Sequence, residues 1–463
     1  MKYQYDFIVI GSGPAGKSAA VQAAKLGQSV LMIEKNPVIG GVSVHSGTIP
    51  SKTLRETVLY LTGWRQRGFY GLSYKVKQDI TAEDLQHRLS QTLSHEVEIL
   101  EHQLNRNNVT HITGSARFKD EHSVIVRLPD QSEEVFTAKR FLICVGTRPH
   151  RPEHIPFDGE SIIDSDDILT LNRIPRSLLV VGAGVIGIEY ATIFNALDTE
   201  VTIVDGKPTI LDFVDHEIIE EFTHHLRDSD VTLRLNEQIE TIEKRDGKVI
   251  TRLKTGKTIC ADTVLFAAGR QGVTSELALE NAGLKADKRG RIQVNERYQT
   301  EQSHIYAAGD VIGFPSLAST SMEQGRVAAC DAFDTVCPSQ TELFPYGIYS
   351  VPEISMVGLT EQQCREQGIA YEVGTARFRE IARGQIMGLR EGKLKMLVSL
   401  NDRKLLGVHI VGEGATELVH IGQAVIAHGG RLDYFIETVF NYPTLAEAYK
   451  VAALDAWNRI SVE

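Results

Sequence analysis

Two glycine-rich turns constrain the fold of this chain more than any other feature of its sequence. The apolar run at 6–10 leads directly into G-S-G-P-A-G at 11–16, a helix of small residues follows, and a second apolar run ends in Glu34. The same order returns with G-A-G-V-I-G at 182–187 and an apolar run that ends in Asp205. Strand, glycine turn, helix, strand and terminal acid form the βαβ unit that binds a dinucleotide. The sequence therefore predicts two Rossmann-like dinucleotide-binding domains.

Each position in such a turn has its own physical role. The first glycine allows a sharp bend, the second lets a pyrophosphate approach the backbone, and the third permits close packing of helix on strand. The acid at the end of the second strand hydrogen-bonds the ribose hydroxyls of the adenosine. The residues predicted to contact the two dinucleotides are Gly11, Gly13, Pro14, Ala15, Gly16, Glu34 and Lys35 in the first unit, and Gly182, Gly184, Ile186, Gly187 and Asp205 in the second.

Length and charge narrow the class of protein further. A chain of 463 residues exceeds what one hydrophobic core organises, so roughly two to four domains are expected. The net charge of −11 and an isoelectric point near 5.8 disfavour nucleic acid or an anionic membrane as the main partner. No run approaches the roughly 18 consecutive apolar residues of a membrane span, and residues 1–10 lack a signal-peptide layout. We therefore expect a cytoplasmic protein without membrane insertion.

Two further motifs give the chain a resemblance to a known family. C-V-G-T-R-P at 144–149 resembles the family's A-T-G-x-x-P turn, and A-A-G-D at 307–310 resembles its second FAD motif. With both glycine turns, the chain is similar over nearly its whole length to the FAD- and NAD(P)-dependent class I disulfide reductases, such as lipoamide dehydrogenase and glutathione reductase. The resemblance implies that the first turn holds FAD, the second holds NAD(P)(H), and Asp310 accepts from a ribityl hydroxyl.

The resemblance also implies an α/β fold with two Rossmann-like domains and a C-terminal α+β dimerisation domain, hence a homodimer. It divides the chain into a first FAD-binding part (1–149), an NAD(P)-binding domain (150–270), an FAD-binding return segment (271–340) and an interface domain (341–463). Helical patterns are predicted at 80–106, 417–428 and 445–456. The further cofactor contacts that the resemblance assigns are Gly41, Ser43, Thr48, Lys52, Gly146, Thr147, Glu189, Gly269, Arg270, Gly309, Asp310, Leu317 and Ala318.

The segment at 40–52 departs from the family. There the disulfide reductases carry two cysteines next to the flavin, on a helix that begins with this segment, and here Ser43 and Thr48 occupy those places. A hydroxyl can neither store two electrons as a disulfide nor form a charge-transfer thiolate. Near the C-terminus, Tyr442 stands where the family has its acid–base His, although the partner Glu447 remains. The two departures together predict that disulfide reduction has been lost.

The five cysteines do not replace the missing pair. They stand at 144, 260, 330, 337 and 364, an odd number with neither a C-x-x-C motif nor metal-ligand spacing. We interpret them as scattered reduced thiols, which is usual in a cytosolic protein. No metal site is predicted.

One branch of the family matches these departures. H-S-G-T-I-P-S-K at 45–52, G-D-V-I-G-F-P-S-L-A-S at 309–319 and Tyr442 resemble the soluble (Si-specific) pyridine nucleotide transhydrogenases. The resemblance implies an enzyme that moves hydride between NADPH and NAD⁺ through flavin N5, without a redox disulfide, with FAD, NAD(H) and NADP(H) as its cofactors. These transhydrogenases usually keep the first cysteine, which is Ser43 here. Hydride transfer through flavin needs no thiol.

By the same resemblance, Lys52 and Glu189 are the predicted catalytic residues. Lys52 is expected near flavin N5 in an ion pair with Glu189, because a positive charge there would stabilise the anionic reduced flavin. Val185 is either the gate of the nicotinamide pocket or a core valine. Tyr442 is either a polar lid or, as we favour, a packed aromatic side chain.

Nucleotide preference depends on Asp205. Its carboxylate suits a free 2′-hydroxyl and should repel the 2′-phosphate of NADP(H), although Lys207 could partly offset that repulsion. Tighter binding of NAD(H) than of NADP(H) is therefore expected. Two other functions stay open: an NAD(P)H:quinone or dye reductase (diaphorase), and a non-catalytic nucleotide-binding flavoprotein.

Overall fold

The computed structural model describes residues 2–339 and 342–460, which form two compact units. Unit 1 consists of the described parts of 1–53, 87–150 and 269–341, and unit 2 of 54–86, 151–268 and the described part of 342–463. Unit 1 thus holds the first glycine turn, and unit 2 holds the second. The finer division at 149, 270 and 340 stays a prediction.

The strands are β1 (Tyr5–Ile10), β2 (Val30–Glu34), β3 (Thr110–Thr113), β4 (Ser115–Asp120), β5 (Ser123–Arg127), β6 (Glu133–Ile143), β7 (Thr147–Pro149), β8 (Ile162–Ile163), β9 (Ser177–Val181), β10 (Glu200–Asp205), β11 (Thr232–Leu235), β12 (Ile239–Arg245), β13 (Lys248–Leu253), β14 (Thr258–Ala261), β15 (Thr263–Phe266), β16 (Arg270–Gly272), β17 (Ile305–Ala307), β18 (Tyr346–Ile348), β19 (Ile354–Gly358), β20 (Tyr371–Arg377), β21 (Lys393–Ser399) and β22 (Leu405–Val411). The helices are α1 (Pro14–Lys25), α2 (Gly41–His45), α3 (Thr48–Leu61), α4 (Arg67–Tyr70), α5 (Ala82–Arg106), α6 (Val185–Ala196), α7 (His216–Asp228), α8 (Ala318–Ala332), α9 (Glu361–Glu366), α10 (Ala382–Met387), α11 (Ala415–Ala427), α12 (Leu432–Glu437) and α13 (Glu447–Ile460).

Unit 1 has one large sheet with a parallel and an antiparallel part, and a separate antiparallel pair of β7 and β16. The parallel strands follow the order β3-β2-β1-β6-β17. β5 and β4 continue from β6 in antiparallel order, so the long strand β6 belongs to both parts. All five residues of β2 are buried, as expected for a parallel strand that is covered on both faces.

Helices α1 and α8 pack against each other within unit 1. A Cβ atom at Gly325 of α8 would lie only 2.1 Å from the carbonyl oxygen of Ala15 in α1. Backbones can approach this closely only where the contact residues are small. The small residues of α1 therefore serve helix packing as well as the glycine turn.

Unit 2 contains three sheets. The parallel sheet has the order β11-β10-β9-β15-β8, a three-stranded antiparallel sheet joins β12, β13 and β14, and a five-stranded antiparallel sheet has the order β18-β19-β22-β21-β20. Helices α11 and α13 pack on the last sheet around a core that includes Phe378, Phe435 and Tyr449. These elements confirm an α/β fold with a C-terminal α+β part.

Most predicted elements agree with the structure. The helix predicted at 80–106 is α5, and those predicted at 417–428 and 445–456 are α11 and α13. The segment at 40–52 is divided between two helices, because Ser43 lies in α2 and Thr48 begins α3. The amide of Gly47 donates to the Val42 carbonyl over 2.6 Å, which closes α2 before the next helix begins. In the described part of the chain, every helix is too short or too polar to traverse a bilayer.

Candidate active site

The first glycine turn joins β1 to α1 in the way its sequence predicts. Gly11 has φ of +107°, a conformation that side chains disfavour. A Cβ at Gly16 would lie 2.0 Å from the Gly11 carbonyl oxygen, so the third glycine is required by packing. A Cβ at Gly13 would instead meet no atom within 4 Å. The second glycine thus leaves free the space that a pyrophosphate needs above the backbone, and the site fits a dinucleotide.

The acid of the first unit is held against this turn. Glu34 is 6 % exposed, and its Oε2 accepts from both the amide (3.0 Å) and the hydroxyl (2.6 Å) of Ser12. Its other oxygen accepts from the amide of Asn36 over 2.9 Å. The Ser12 hydroxyl also accepts from the amide of Gly40 over 2.9 Å. Ser12 therefore connects the turn, the acid and the start of α2, a role that sequence reasoning missed.

Gly41 lies next to the turn as well. A Cβ at Gly41 would lie 2.8 Å from the Cα of Gly13. Two residues on, the Ser43 hydroxyl donates to the Gly40 carbonyl over 3.2 Å, while Thr48 is exposed. The structure therefore brings Gly41 to the turn and places the two hydroxyl residues on separate helices.

A second group of predicted residues meets around Asp310. The Thr147 hydroxyl donates to Asp310 Oδ2 over 3.3 Å and accepts from Arg270 Nε over 2.8 Å. Arg270 also donates to the Thr147 carbonyl over 2.9 Å, which ties β16 to β7. Burial raises the pKa of the Asp310 carboxyl, and the nearby Arg270 charge opposes that rise. A desolvated carboxylate of this kind is suited to accept from a ligand hydroxyl.

The remaining predicted residues of unit 1 lie in its helices and in the loops between its elements. Gln324, at 6 % exposure, accepts from the amide of Gly309 over 2.9 Å and so fixes the second FAD motif. Lys52 Nζ donates to Ser51 Oγ over 3.2 Å. Pro14 and Ala15 form the first turn of α1, Leu317 and Ala318 begin α8, Gly146 and Gly269 have positive φ, and Lys35 is exposed.

The second glycine turn has the same construction in unit 2. Gly182 has φ of +106°, and a Cβ at Gly187 would lie 1.9 Å from its carbonyl oxygen. A Cβ at Gly184 would meet no atom within 4 Å. Ile186 and Val185 are half-buried in the first turn of α6. The second turn therefore leaves the same free space above its backbone.

Asp205 lines a cavity of about 250 Å³ beside this turn. The carboxylate accepts from the amide of Ala183 over 2.6 Å and from the amide of Lys207 over 2.8 Å. The other walls come from His154, Ile155, Val181, Gly182, Val204, Gly206, Glu237, Gln238, Ile239, Phe266 and Ala268. An aromatic and aliphatic pocket that ends in a fixed carboxylate suits the adenosine half of a dinucleotide. Sequence reasoning did not find His154, Gln238 or Phe266, because they come from separate loops and strands.

Glu189 lies on α6 and is 4 % exposed. One of its oxygens accepts from the amide of Tyr349 over 2.9 Å, so the buried carboxylate has a backbone donor. Lys52, its predicted partner, belongs to the other unit, and the ion pair between them stays a prediction.

The favoured interpretation of Tyr442 as a packed aromatic is wrong for the single chain. Tyr442 is 69 % exposed and lies in the loop before α13. Glu447 begins α13 and is half-buried.

Two dinucleotide turns on parallel sheets, followed by an antiparallel C-terminal sheet, define a class of flavin- and nicotinamide-dependent oxidoreductases. Comparison with known families agrees: residues 5–325 match the pyridine nucleotide-disulphide oxidoreductase family, and residues 344–453 match its dimerisation domain. The chain belongs to this family. It is therefore an FAD-dependent oxidoreductase that uses pyridine nucleotides.

The chain is also similar to individual proteins of known name. The chain is 53 % identical to a soluble pyridine nucleotide transhydrogenase of Mycobacterium tuberculosis, over 99 % of this chain and 98 % of the relative. It is 44 % identical to a protein of the same name from Colwellia psychrerythraea, over 99 % of both chains. Among solved structures it is similar to LpdA from Mycobacterium tuberculosis, with a TM-score of 0.89 and 25 % identity over 97 % of this chain and 99 % of that one.

Proposed function

We propose that this chain is a pyridine nucleotide transhydrogenase that moves hydride between NADPH and NAD⁺ by way of FAD and without a redox disulfide. One observation carries the proposal. Both dinucleotide turns are complete, whereas Ser43 and Thr48 stand where disulfide reductases of the family have cysteines. The transhydrogenase names of the relatives at 53 % and 44 % identity support the same function.

The chain's own residues would form two cofactor-binding sites. Gly13, Glu34 and Asp310 would hold FAD, and Asp205 would hold the adenosine of the nicotinamide nucleotide. Bound FAD supplies a two-electron acceptor and donor, while the protein supplies position and charge. The segment at 40–52 contains no thiol, so the electrons that arrive from one nucleotide would leave on a second one.

Lys52 and Glu189 are proposed as the charged pair that acts on the flavin. The positive charge of Lys52 would favour the anionic form that FAD takes on reduction. The burial of Glu189 supports this role, because a buried carboxylate needs a cation or several donors.

NAD(H) is proposed to bind more tightly than NADP(H). Two backbone amides fix Asp205 beside the cavity, where its charge would repel a 2′-phosphate. Lys207 is the cation that could offset this repulsion, and its ammonium contacts Asp212 Oδ2 over 2.7 Å at the exposed surface. An exposed pair of this kind is weak, so Lys207 could exchange Asp212 for a phosphate.

A homodimer in the cytoplasm completes the proposal. The match of 344–453 to a dimerisation domain supports self-association. Sedimentation of the purified holoprotein should give the mass of two chains over a tenfold range of concentration, and a monomer at every concentration would contradict it.

An anaerobic stopped-flow experiment tests the function directly. NADPH should bleach the bound flavin, and NAD⁺ should then restore its absorbance and yield NADH. Rapid reoxidation by a quinone with no response to NAD⁺ would instead identify a quinone reductase. Failure of both NADPH and NADH to bleach the flavin would indicate a non-catalytic flavoprotein, and turnover of lipoamide or glutathione disulfide would contradict the loss of disulfide reduction.

A further inference from the structure

Two cysteines that are separate in the sequence lie side by side in unit 1. Cys330 is in the last turn of α8 and is 2 % exposed. The chain then folds back on the helix, since the amide of Thr335 donates to the Cys330 carbonyl over 2.9 Å. This reversal brings the half-buried Cys337 to Cys330, and the two thiols share a hydrogen bond. All five cysteines are free thiols in the structure, but these two are not scattered as the sequence suggested.

Side chains of α8 hold the loop after the helix in place. Arg326 contacts the sulfur of Cys337 and donates to the Pro338 carbonyl over 3.0 Å. Glu323 accepts from Arg326 Nε over 2.8 Å and from the hydroxyl of Ser339 over 2.5 Å. The loop is thus fixed along one face of the helix, with the outer thiol against a guanidinium.

The two thiols have different chemical environments. Burial raises the pKa of Cys330 to about 12, and its hydrogen bond with Cys337 adds to that rise, so Cys330 stays a neutral thiol. Cys337 is half-buried and has the positive charge of Arg326 at its sulfur. Attack on a peroxide places negative charge on the sulfur, and a guanidinium in contact with that sulfur stabilises the charge. An accessible sulfur beside a cation, next to a buried partner, is the arrangement of an attacking and a resolving cysteine.

The other cysteines lack this arrangement. Cys144 and Cys364 are buried, and burial raises the pKa of both thiols. Cys260 is exposed on β14. It therefore serves as the matched control for reactivity that depends on exposure alone.

We propose that Cys330 and Cys337 are an oxidant-sensitive dithiol that closes to a disulfide on reaction with a hydroperoxide. The Cys337 thiolate attacks one oxygen of hydrogen peroxide, the O–O bond breaks, and hydroxide leaves, which gives a sulfenic acid at Cys337. The Cys330 sulfur then attacks the sulfenic sulfur, an S–S bond forms, and water leaves. Two thiols and one peroxide thus become one disulfide and two waters, with two electrons passing from sulfur to oxygen. A small dithiol reverses the step by thiol–disulfide exchange.

The test uses the full-length holoprotein exposed to hydrogen peroxide, alkylated and mapped by mass spectrometry. We expect a cross-linked peptide that contains Cys330 and Cys337, a mass lower by about 2 Da, and recovery of both thiols with dithiothreitol. Cys260→Ser should leave the cross-link unchanged. Oxidation of Cys260 while Cys337 stays free, or sulfinic acid at Cys337 without a cross-link, would overturn the proposal.

Two variants separate the roles of the cysteines. Cys330→Ser should leave a sulfenic acid at Cys337 that reacts with dimedone and then proceeds to sulfinic acid, because the resolving thiol is gone. Arg326→Gln should slow the formation of the cross-link several-fold without changing its position. An unchanged rate in Arg326→Gln would show that the guanidinium does not activate Cys337, and the wild-type map would still decide whether the disulfide forms.

Discussion

The amide of Ala183 donates a 2.6 Å hydrogen bond to Asp205 Oδ2, which connects the second glycine turn directly to the acid at the end of β10. The same relationship occurs in unit 1, where the amide of Ser12 donates to Glu34 over 3.0 Å. In both units the acid that is suited to bind ribose therefore also orients the turn that is suited to bind pyrophosphate. The position of the acid and the position of the glycine turn therefore depend on each other in each unit.

Replacing Asp205 should shift nucleotide preference. In Asp205→Ser the charge that opposes a 2′-phosphate is gone, together with an acceptor for the ribose hydroxyls. We expect the ratio of the NADP(H) to the NAD(H) dissociation constant to fall about tenfold, as the loss of a charged hydrogen bond implies. Titration of the flavoprotein with each nucleotide measures the ratio. Lys207→Met is the matched control and should raise it; an unchanged ratio in both variants would exclude this pair as the determinant.

Substitution of the middle glycine in each turn should impair the binding of one cofactor and not of the other. A methyl group at Gly13 or Gly184 meets no protein atom, so alanine there should change the free energy of unfolding of the apoprotein by less than about 1 kcal/mol. Gly13→Ala should be purified with little FAD. Gly184→Ala should keep its flavin but lose bleaching by NADH at concentrations that saturate the wild type. Flavin absorbance and anaerobic reduction report the two effects, and full FAD retention by Gly13→Ala would contradict the assignment.

The Ser12 hydroxyl should contribute to stability because it is buried. Ser12→Ala removes a 2.6 Å bond to Glu34 and leaves the amide of Gly40 without its acceptor, so unfolding of the holoprotein should become about 1–3 kcal/mol easier. Ser29 donates a similar bond of 2.7 Å to Asp6 at the surface, and Ser29→Ala should change stability by less than about 0.5 kcal/mol. Urea unfolding compares the two. Equal effects would mean that burial is not the cause.

The buried Lys395 should give unit 2 a characteristic pH dependence. Its ammonium lies 2.8 Å from Asp215, 2.6 Å from Glu361 and 3.0 Å from Glu217, and it is fully buried. Burial acts to raise the pKa of Asp215, but His409 and Lys395 outweigh it, and the pKa is lowered. Burial likewise acts to raise the pKa values of the two glutamates, but Lys393 and Lys395 outweigh it at Glu217, and Lys395 outweighs it at Glu361, so both pKa values are lowered.

A carboxyl whose pKa is lower in the folded than in the unfolded protein stabilises the fold above the unfolded value of roughly 4. That contribution is lost as the pH falls through the folded values. Wild-type stability should therefore decrease below about pH 4. Lys395→Met leaves the buried carboxylate of Asp215 without its cation, which should cost about 3–5 kcal/mol at neutral pH. Because that carboxyl then gains a proton readily, the stability of the variant should rise between pH 7 and pH 5. Urea unfolding at several pH values measures this, and parallel profiles for both proteins would contradict the role of Lys395.

The fold was predictable where the signal is local. The spacing of glycines and apolar runs gives the two βαβ units, because each depends on contacts between neighbouring elements of one segment. The long helix α5 was predictable for the same reason, from its amphipathic pattern. The break between α2 and α3 was not, since it depends on how Gly47 bonds back to Val42.

The sequence by itself determined the two dinucleotide turns, their terminal acids Glu34 and Asp205, and the hydroxyls of Ser43 and Thr48. Only the tertiary structure decided that Arg270 meets Thr147 beside Asp310, that Lys395 is enclosed by three acids, and that Cys330 meets Cys337. Residue type and spacing within a segment encode the first set. The second set depends on chain reversals and on contacts between distant segments. Such contacts form only when the whole unit packs, so no local sequence pattern predicts them.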